Sequence, residues 1–314
     1  MSQQEPPSIT VAVVGICGAS HAMRCLDALA RQEKSPLFNV VLVHDPHLEG
    51  MEAVRDRHAH VRLVSNEGQR SPLELAARAI LEADGDIIIL TEDHCVPKPD
   101  WVRQLIAALR PDRGAVGGVV QANPCIRAVD WAFYFVDFFR YMRPVQPGPS
   151  PTLTVCNVAY RRDHVDQIRS LWRTFFHETA INDALRSRFG PLWLEPKAEV
   201  EMRRTVRFRD AVYERYAFGR LFGCTRLEFC GPARRLYYML FAPTLPLLLM
   251  GRMGAKAVQE RACAVAFIRA LPMISAMVLA WSWGEWLGYL TRRPPRSLVV
   301  APEIRAAQRG SDPG

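Results

Sequence analysis

With 314 residues, 49% of them hydrophobic, the chain has apolar material for roughly two domains, which excludes an intrinsically disordered protein. The formal charge of +8 is concentrated in an arginine-rich run from Arg203 to Arg235. No helix-turn-helix, RNP or zinc-finger spacing accompanies that run, so no nucleic-acid partner is expected and the strip suits phosphates or anionic lipid headgroups instead. The eight cysteines, Cys17, Cys25, Cys95, Cys125, Cys156, Cys224, Cys230 and Cys263, form no CxxC pair or compact framework, and no signal peptide is expected ahead of them. They are expected to be reduced, packed thiols of a cytosolic domain, without structural zinc.

In chain order, "ITVAVVGI" (9–16) predicts a strand and "HAMRCLDALARQ" (21–32) a helix with Met23, Leu26, Leu29 and Ala30 on one face. "FNVVLVHD" (38–45) is a second strand, "LELAARAILEAD" (73–84) a second helix, and "IIILT" (87–91) a strand apolar enough to be buried on both faces. The alternation predicts an α/β fold with a Rossmann-like, mostly parallel sheet flanked by helices and joined by right-handed crossovers. Two strands end in ionisable groups, Asp45 on one and Glu92, Asp93 and His94 on the other. In such sheets ligands bind outside the carboxyl ends of the strands, so these groups define a candidate site on one rim. The turn after the first strand, "GICGAS", lacks G-x-G-x-x-G, so a dinucleotide cofactor is not expected.

The stretch "ADGDIIILTEDHCVPKPDWV" (83–102) resembles the central motif of GT-A-fold family 2 glycosyltransferases, in which a buried strand runs into a D-x-D-type triplet followed by P-x-P-x-W. The likeness can be followed from the first strand to about residue 235. It implies that Asp45 binds the nucleotide base and that Glu92, Asp93 and His94 occupy the D-x-D place. Glu92 and His94 would then hold a divalent metal beside the donor diphosphate, Mn2+ rather than Mg2+ because an imidazole nitrogen suits manganese and magnesium prefers oxygen ligands. Cys95 and Pro97 are expected to serve packing and the turn.

"GAVGGVV" (114–120) is similar to the family's next strand, and "LTVCNVAYRRD" (153–163) to its G-x-N-x-A-F-R-R segment, with Asn157 beside the donor and Cys156 departing from the pattern. "FFHETAINDALRSRFGPLWLEPKAEV" (175–200) resembles the family's E-D-x-x-L helix, the strand after it and P-x-A-x-V, with Thr179 where an Asp often stands. The resemblance implies a carboxylate base, Glu178 or else Asp183; about 140° apart on a helix, they cannot both face one cleft. It implies an inverting, single-displacement transfer from a nucleotide sugar, a UDP-sugar by expectation. The segment 213–226 has no Q-x-x-R-W, which favours addition of one sugar, and Arg220 and Arg226 are candidates for the diphosphate or for membrane phosphates.

The last third is apolar. Residues 236–250 span about 22 Å as helix and are broken by two prolines; residues 270–290 span about 31 Å, enough to cross a bilayer core of about 30 Å. Glu285 is the only charge in the second stretch, and Trp281, Trp283, Trp286 and Tyr289 gather near it as interfacial aromatics do. Basic residues flank both stretches, so topology stays open between spanning helices and helices lying in the interface.

The expected layout is a disordered start (1–8), a GT-A domain (9–235), membrane-associated hydrophobic helices (236–295) and a disordered tail (296–314). The expected setting is the cytoplasmic face of the cell membrane, with a nucleotide-sugar donor and a lipid-linked or glycan acceptor. Two other readings stay open: a nucleotidyltransferase on a similar sheet, and an inactive membrane scaffold that keeps the fold.

Overall fold

A computed structural model describes residues 6–67, 71–122, 127–226, 232–293 and 295. The expected tail (296–314) lies outside the described residues, as do the first five. The chain forms two compact units, one built from residues up to 121 and 145–203, the other from 122–144 and 204 onward. This division differs from the expected boundary at 235. An internal segment, 122–144, belongs with the C-terminal helices because its aromatic helix packs within that unit.

The first unit follows the predicted elements closely. β1 (Ile9–Gly15) leads through α1 (Ala19–Ala30) to β2 (Asn39–His44), then α2 (Met51–Arg57), β3 (Arg62–Ser65), α3 (Pro72–Glu82) and β4 (Ile87–Glu92). β1 has no exposed residue, and Ile88, Ile89 and Leu90 of β4 are fully buried, as a strand covered on both faces requires. α3 starts where "SPLE" says it should: the Ser71 hydroxyl accepts from the Glu74 amide, the Glu74 carboxylate accepts from the Ser71 amide, and Pro72 fills the first turn.

The sheet order is β3-β2-β1-β4-β8-β6-β9-β5, and only its first four strands are parallel. β5 (Cys95–Pro97), β6 (Ala115–Ala122), β7 (Gly148–Ser150), β8 (Val158–Arg161) and β9 (Leu192–Met202) form the mixed half, so the sheet is less parallel than predicted. β8 runs antiparallel to β4, with Val158 opposite Leu90. The residues just before β8 therefore lie over the carboxyl end of β4, beside the triplet. α4 (Trp101–Ala108), α6 (Arg162–Gln167), α7 (Arg169–Trp172) and α8 (Glu178–Phe189) complete this unit; α5 (Ala128–Phe138) belongs to the other.

Gly118 explains the glycines of "GAVGGVV". A Cβ there would lie 1.8 Å from the Ala198 carbonyl oxygen and 2.6 Å from Nδ2 of Asn157, so no larger residue lets β6 approach β9 this closely.

In the second unit α9 (Phe208–Arg226) packs along α12 (Arg261–Thr291), with α10 (Pro232–Phe241) and α11 (Leu245–Ala257) between them in sequence. The contact is a backbone crossing built on two small-xxx-small pairs, Gly219 with Gly223 and Gly284 with Gly288. A Cβ at Gly284 would sit 2.1 Å from the Tyr216 carbonyl oxygen, and one at Gly219 2.2 Å from that of Trp281. α12 is ten residues longer than the apolar pattern predicted, continuing through Pro272. α5 supplies buried Phe133, Tyr134 and Phe135, and the Phe135 ring meets Phe267 edge-on at 5.3 Å.

Candidate active site

The predicted rim exists. The β1–β2 register pairs Gly15 with His44, and the β1–β4 register pairs Val14 with Glu92, so Asp45 and the Glu92–His94 triplet emerge on either side of the end of β1. Two strand spacings separate them, roughly 10 Å.

Asp45 is fully buried. Its Oδ1 accepts from the His47 amide at 2.8 Å, while Oδ2 is buried without a hydrogen-bond partner among the described residues. A buried carboxylate oxygen left this way costs about 1–3 kcal/mol or more, a cost that a ligand donor would remove.

Asp93 serves the scaffold. Its Oδ2 accepts from the Ile16 and Cys17 amides at 3.0 and 2.8 Å, pinning the β1–α1 turn beneath the triplet. Glu92 and His94 turn toward each other, with Glu92 Oε2 3.4 Å from His94 Nε2. A cation bound to both atoms at about 2.0–2.2 Å would need a separation close to this, so the pair fits a divalent metal.

Cys156, the residue that departs from the resemblance, belongs to the same cluster. Its thiol donates to Glu92 Oε2 at 3.3 Å, and its carbonyl accepts from the Thr91 hydroxyl at 2.9 Å. Burial, the Cys95 thiol and the Glu92 carboxylate hold the Cys156 thiol well above its ordinary range; the Cys95 hydrogen bond is the largest of these causes.

Glu178 opens α8, and its Oε2 accepts from the Val155 amide at 3.0 Å. Val155 and Cys156 are consecutive, so Glu178 and Glu92 are held by neighbouring residues of one loop. Asp183, one and a half turns on, is exposed and paired with Arg186 at 2.7 Å. Of the two candidate bases only Glu178 is tied to the loop beside the triplet.

Asn157 follows Cys156 in the same loop. It is fully buried, its Nδ2 donates to the Val119 and Ala198 carbonyls at 2.9 Å, and its Oδ1 accepts from Trp101 Nε1 at 2.8 Å. With both ends of its amide engaged, Asn157 anchors the loop that carries Val155 and Cys156.

Arg226 closes α9. It lies in the helical unit, 3.2 Å from the Tyr289 hydroxyl, 3.8 Å from Glu285 and over the Tyr238 ring. Much of the arginine strip is likewise structural. Arg204 and Arg215 are buried in ion pairs, Arg235 donates to the carbonyls of Tyr289 and Leu290 at the end of α12, and Arg220 donates to that of Arg293. Glu285 is buried, and Trp281 and Tyr289 both donate to it, so these two aromatics answer a carboxylate rather than a membrane surface.

Sequence reasoning missed His177. It is the N-cap of α8, accepting from the Ala180 amide through Nδ1, and burial lowers its pKa to about 4. The folded value lies below the ordinary 6.5, so the cap contributes fully above pH 6.5 and is lost as the pH falls toward 4. The expected loss is up to about 3 kcal/mol of folding stability by pH 4. His177→Asn keeps a capping oxygen and removes the titration. Urea midpoints measured between pH 7 and 4 are expected to fall less steeply in the variant; parallel curves would remove this role.

Residues 21–169 match the family described as Glycosyl transferase family 2. This stretch is a family 2 glycosyltransferase domain. The enzyme is also similar to the mannosyltransferase PcManGT from Pyrobaculum calidifontis, solved in complex with GDP-Man and Mn2+, at 16% identity and a TM-score of 0.58 over 90% of this chain and 88% of that one. It is similar as well to GalNAc-T7, solved with UDP, GalNAc and Mn2+, at 16% identity and a TM-score of 0.48 over 64% of this chain and 44% of that one. No curated protein sequence matches the glycosyltransferase. The likeness to the mannosyltransferase bears out the GT-A α/β fold. The family sets aside the nucleotidyltransferase reading.

Proposed function

We propose that the glycosyltransferase moves one sugar from a nucleotide-sugar donor, a UDP-sugar, to a hydroxyl of a lipid-linked or glycan acceptor, with inversion, at the cytoplasmic face of the cell membrane. The observation that carries this reading is the loop before β8, where adjacent residues hold Glu178 through the Val155 amide and Glu92 through the Cys156 thiol. A proton acceptor and a cation ligand are thereby kept together on the rim that also carries Asp45.

Each group has a separate task. Asp45 Oδ2 accepts from the base edge, and the roughly 10 Å between it and the triplet is a length that a nucleoside spans. Glu92 and His94 would hold a divalent metal, Mn2+ by preference, which when bound would offset the charge of the diphosphate leaving group. Glu178 takes the proton of the acceptor hydroxyl, and its bond to Val155 fixes the carboxylate's direction. Asp93 and Asn157 position the triplet and the loop. One base and one cation suffice, unlike the paired carboxylates of a glycoside hydrolase.

The test is turnover of a panel of nucleotide sugars by the purified enzyme with Mn2+ or Mg2+. Transfer or donor hydrolysis is expected, at least ~10-fold faster with Mn2+ because the His94 nitrogen suits it better. Equal rates at saturating metal would remove His94 from the site, and absence of both transfer and hydrolysis would leave the scaffold reading.

Membrane association is supported by two segments long and apolar enough to cross, Pro232–Ala257 and Arg261–Thr291. α10 buries no residue and exposes Leu236, Tyr237, Leu240 and Phe241; α11 exposes Leu247. So much bare apolar surface suits lipid better than water. Alkaline carbonate extraction of membranes is expected to leave the protein in the pellet; release into the supernatant would exclude a spanning helix.

A further inference from the structure

Four groups at the rim, three of them buried, form a donor set that an all-carboxylate triplet does not have. The ligand atoms of His94, Cys95 and Cys156 all lie within 4.8 Å of one another. Glu92 Oε2 is 3.3 Å from the Cys156 sulfur and 3.4 Å from His94 Nε2. A tetrahedral zinc ion with bonds of about 2.0–2.3 Å has ligand–ligand edges of roughly 3.3–3.8 Å, so the Glu92–His94 and Glu92–Cys156 edges already fit, and the His94, Cys95 and Cys156 atoms need to close on one another by about an ångström. The other face of His94 is already oriented: Nδ1 lies 3.9 Å from Asp93 Oδ1 and 3.8 Å from the Cys17 sulfur, which leaves Nε2 toward the cluster.

We propose that Glu92, His94, Cys95 and Cys156 form a zinc-binding site, and that zinc held there withdraws Glu92 and His94 from manganese and inhibits transfer. Thiolates select a soft d10 ion, whereas manganese prefers oxygen and nitrogen and stands lowest in the divalent affinity order. Each thiol releases its proton as its sulfur binds. The inhibition rests on the proposed function; the zinc site itself does not.

The probe is Co2+, then Zn2+, added to the chelator-treated full-length protein. Cobalt is expected to give thiolate-to-metal charge-transfer absorption at one equivalent, which zinc abolishes. The band should disappear in Cys95→Ser/Cys156→Ser and persist in Cys224→Ser. Where the double variant fails to fold, alkylation mapped by mass spectrometry on the wild type gives the same reading: zinc should protect Cys95 and Cys156 together.

In a parallel experiment the electron paramagnetic resonance of bound Mn2+ should revert to the free-ion spectrum on addition of one equivalent of zinc. Zinc should bind about 10²-fold or more tightly than manganese in the wild type, an advantage reduced at least ~10-fold by Cys156→Ser. Absence of the cobalt band, its persistence in the double variant, or lack of zinc protection would overturn the site. A cobalt band with manganese undisturbed would overturn the competition. A cobalt band in a protein that turns over no nucleotide sugar would sink the proposed function and leave the zinc site standing.

Discussion

Glu178→Gln is expected to lower kcat by about 10²- to 10⁴-fold, the range that a positioned general base contributes, while the donor dissociation constant stays within about twofold. The split follows from geometry. Glu178 is held through the Val155 amide, and the cation ligands are other side chains, Glu92 and His94, so the substitution removes a proton acceptor without removing a cation ligand. Glutamine keeps the oxygen that accepts from Val155, so the loop should stay in place and the loss should fall on chemistry. Asp183→Asn is the control, with activity near wild type expected because Asp183 is exposed and committed to Arg186. A Glu178→Gln enzyme that keeps its kcat, or loses donor binding in step with it, would remove Glu178 as the base.

The two halves of the molecule were unequally legible. Strands β1, β2 and β4 read directly from the sequence because a strand covered on both faces must be continuously apolar, and the carboxylates that end such a run stand out. The rim that carries Asp45 and the triplet followed from that alone. What each polar group does on the rim did not follow, because it depends on long-range partners. Asp93 bonds residues 76 and 77 positions away, and Asn157 spends its amide on Trp101, Val119 and Ala198. A motif gives the residue type at a place and is silent on which way the side chain turns. The glycine crossing of α9 and α12 was also open to a reader looking for paired small residues four apart. The apolar pattern drew attention to hydropathy instead, and hydropathy does not separate a lipid-facing residue from one facing another helix. Glu285 suffered the same error: a lone charge in an apolar run reads as a surface feature until its partner, 59 positions earlier at Arg226, is known.

Glu214→Ala is expected to be the most destabilising single change in the helical unit, at about 3–5 kcal/mol, the range for breaking a buried ion pair by removing one partner. Arg204 reaches Glu214 through both terminal nitrogens, at 3.2 and 2.9 Å, and Arg215 reaches the same carboxylate at 2.8 Å while also pairing with Asp137. Both guanidinium groups lie against the Phe133 ring, and all three charged side chains are under a tenth exposed. Deleting the carboxylate leaves two buried cations facing one anion in an aromatic setting. Burial already lowers the Arg215 pKa to about 9, so that group is the most exposed to the loss. Glu214→Gln keeps the shape and one acceptor but not the charge, and should lie between wild type and Ala. Replacing all of Glu214, Arg204 and Arg215 by apolar residues of similar volume should restore much of the loss, because a buried ion cluster is costly chiefly when incomplete. Denaturant unfolding in detergent orders these variants: a Glu214→Ala loss below about 1 kcal/mol would mean that water reaches the cluster and screens it as it does a surface pair.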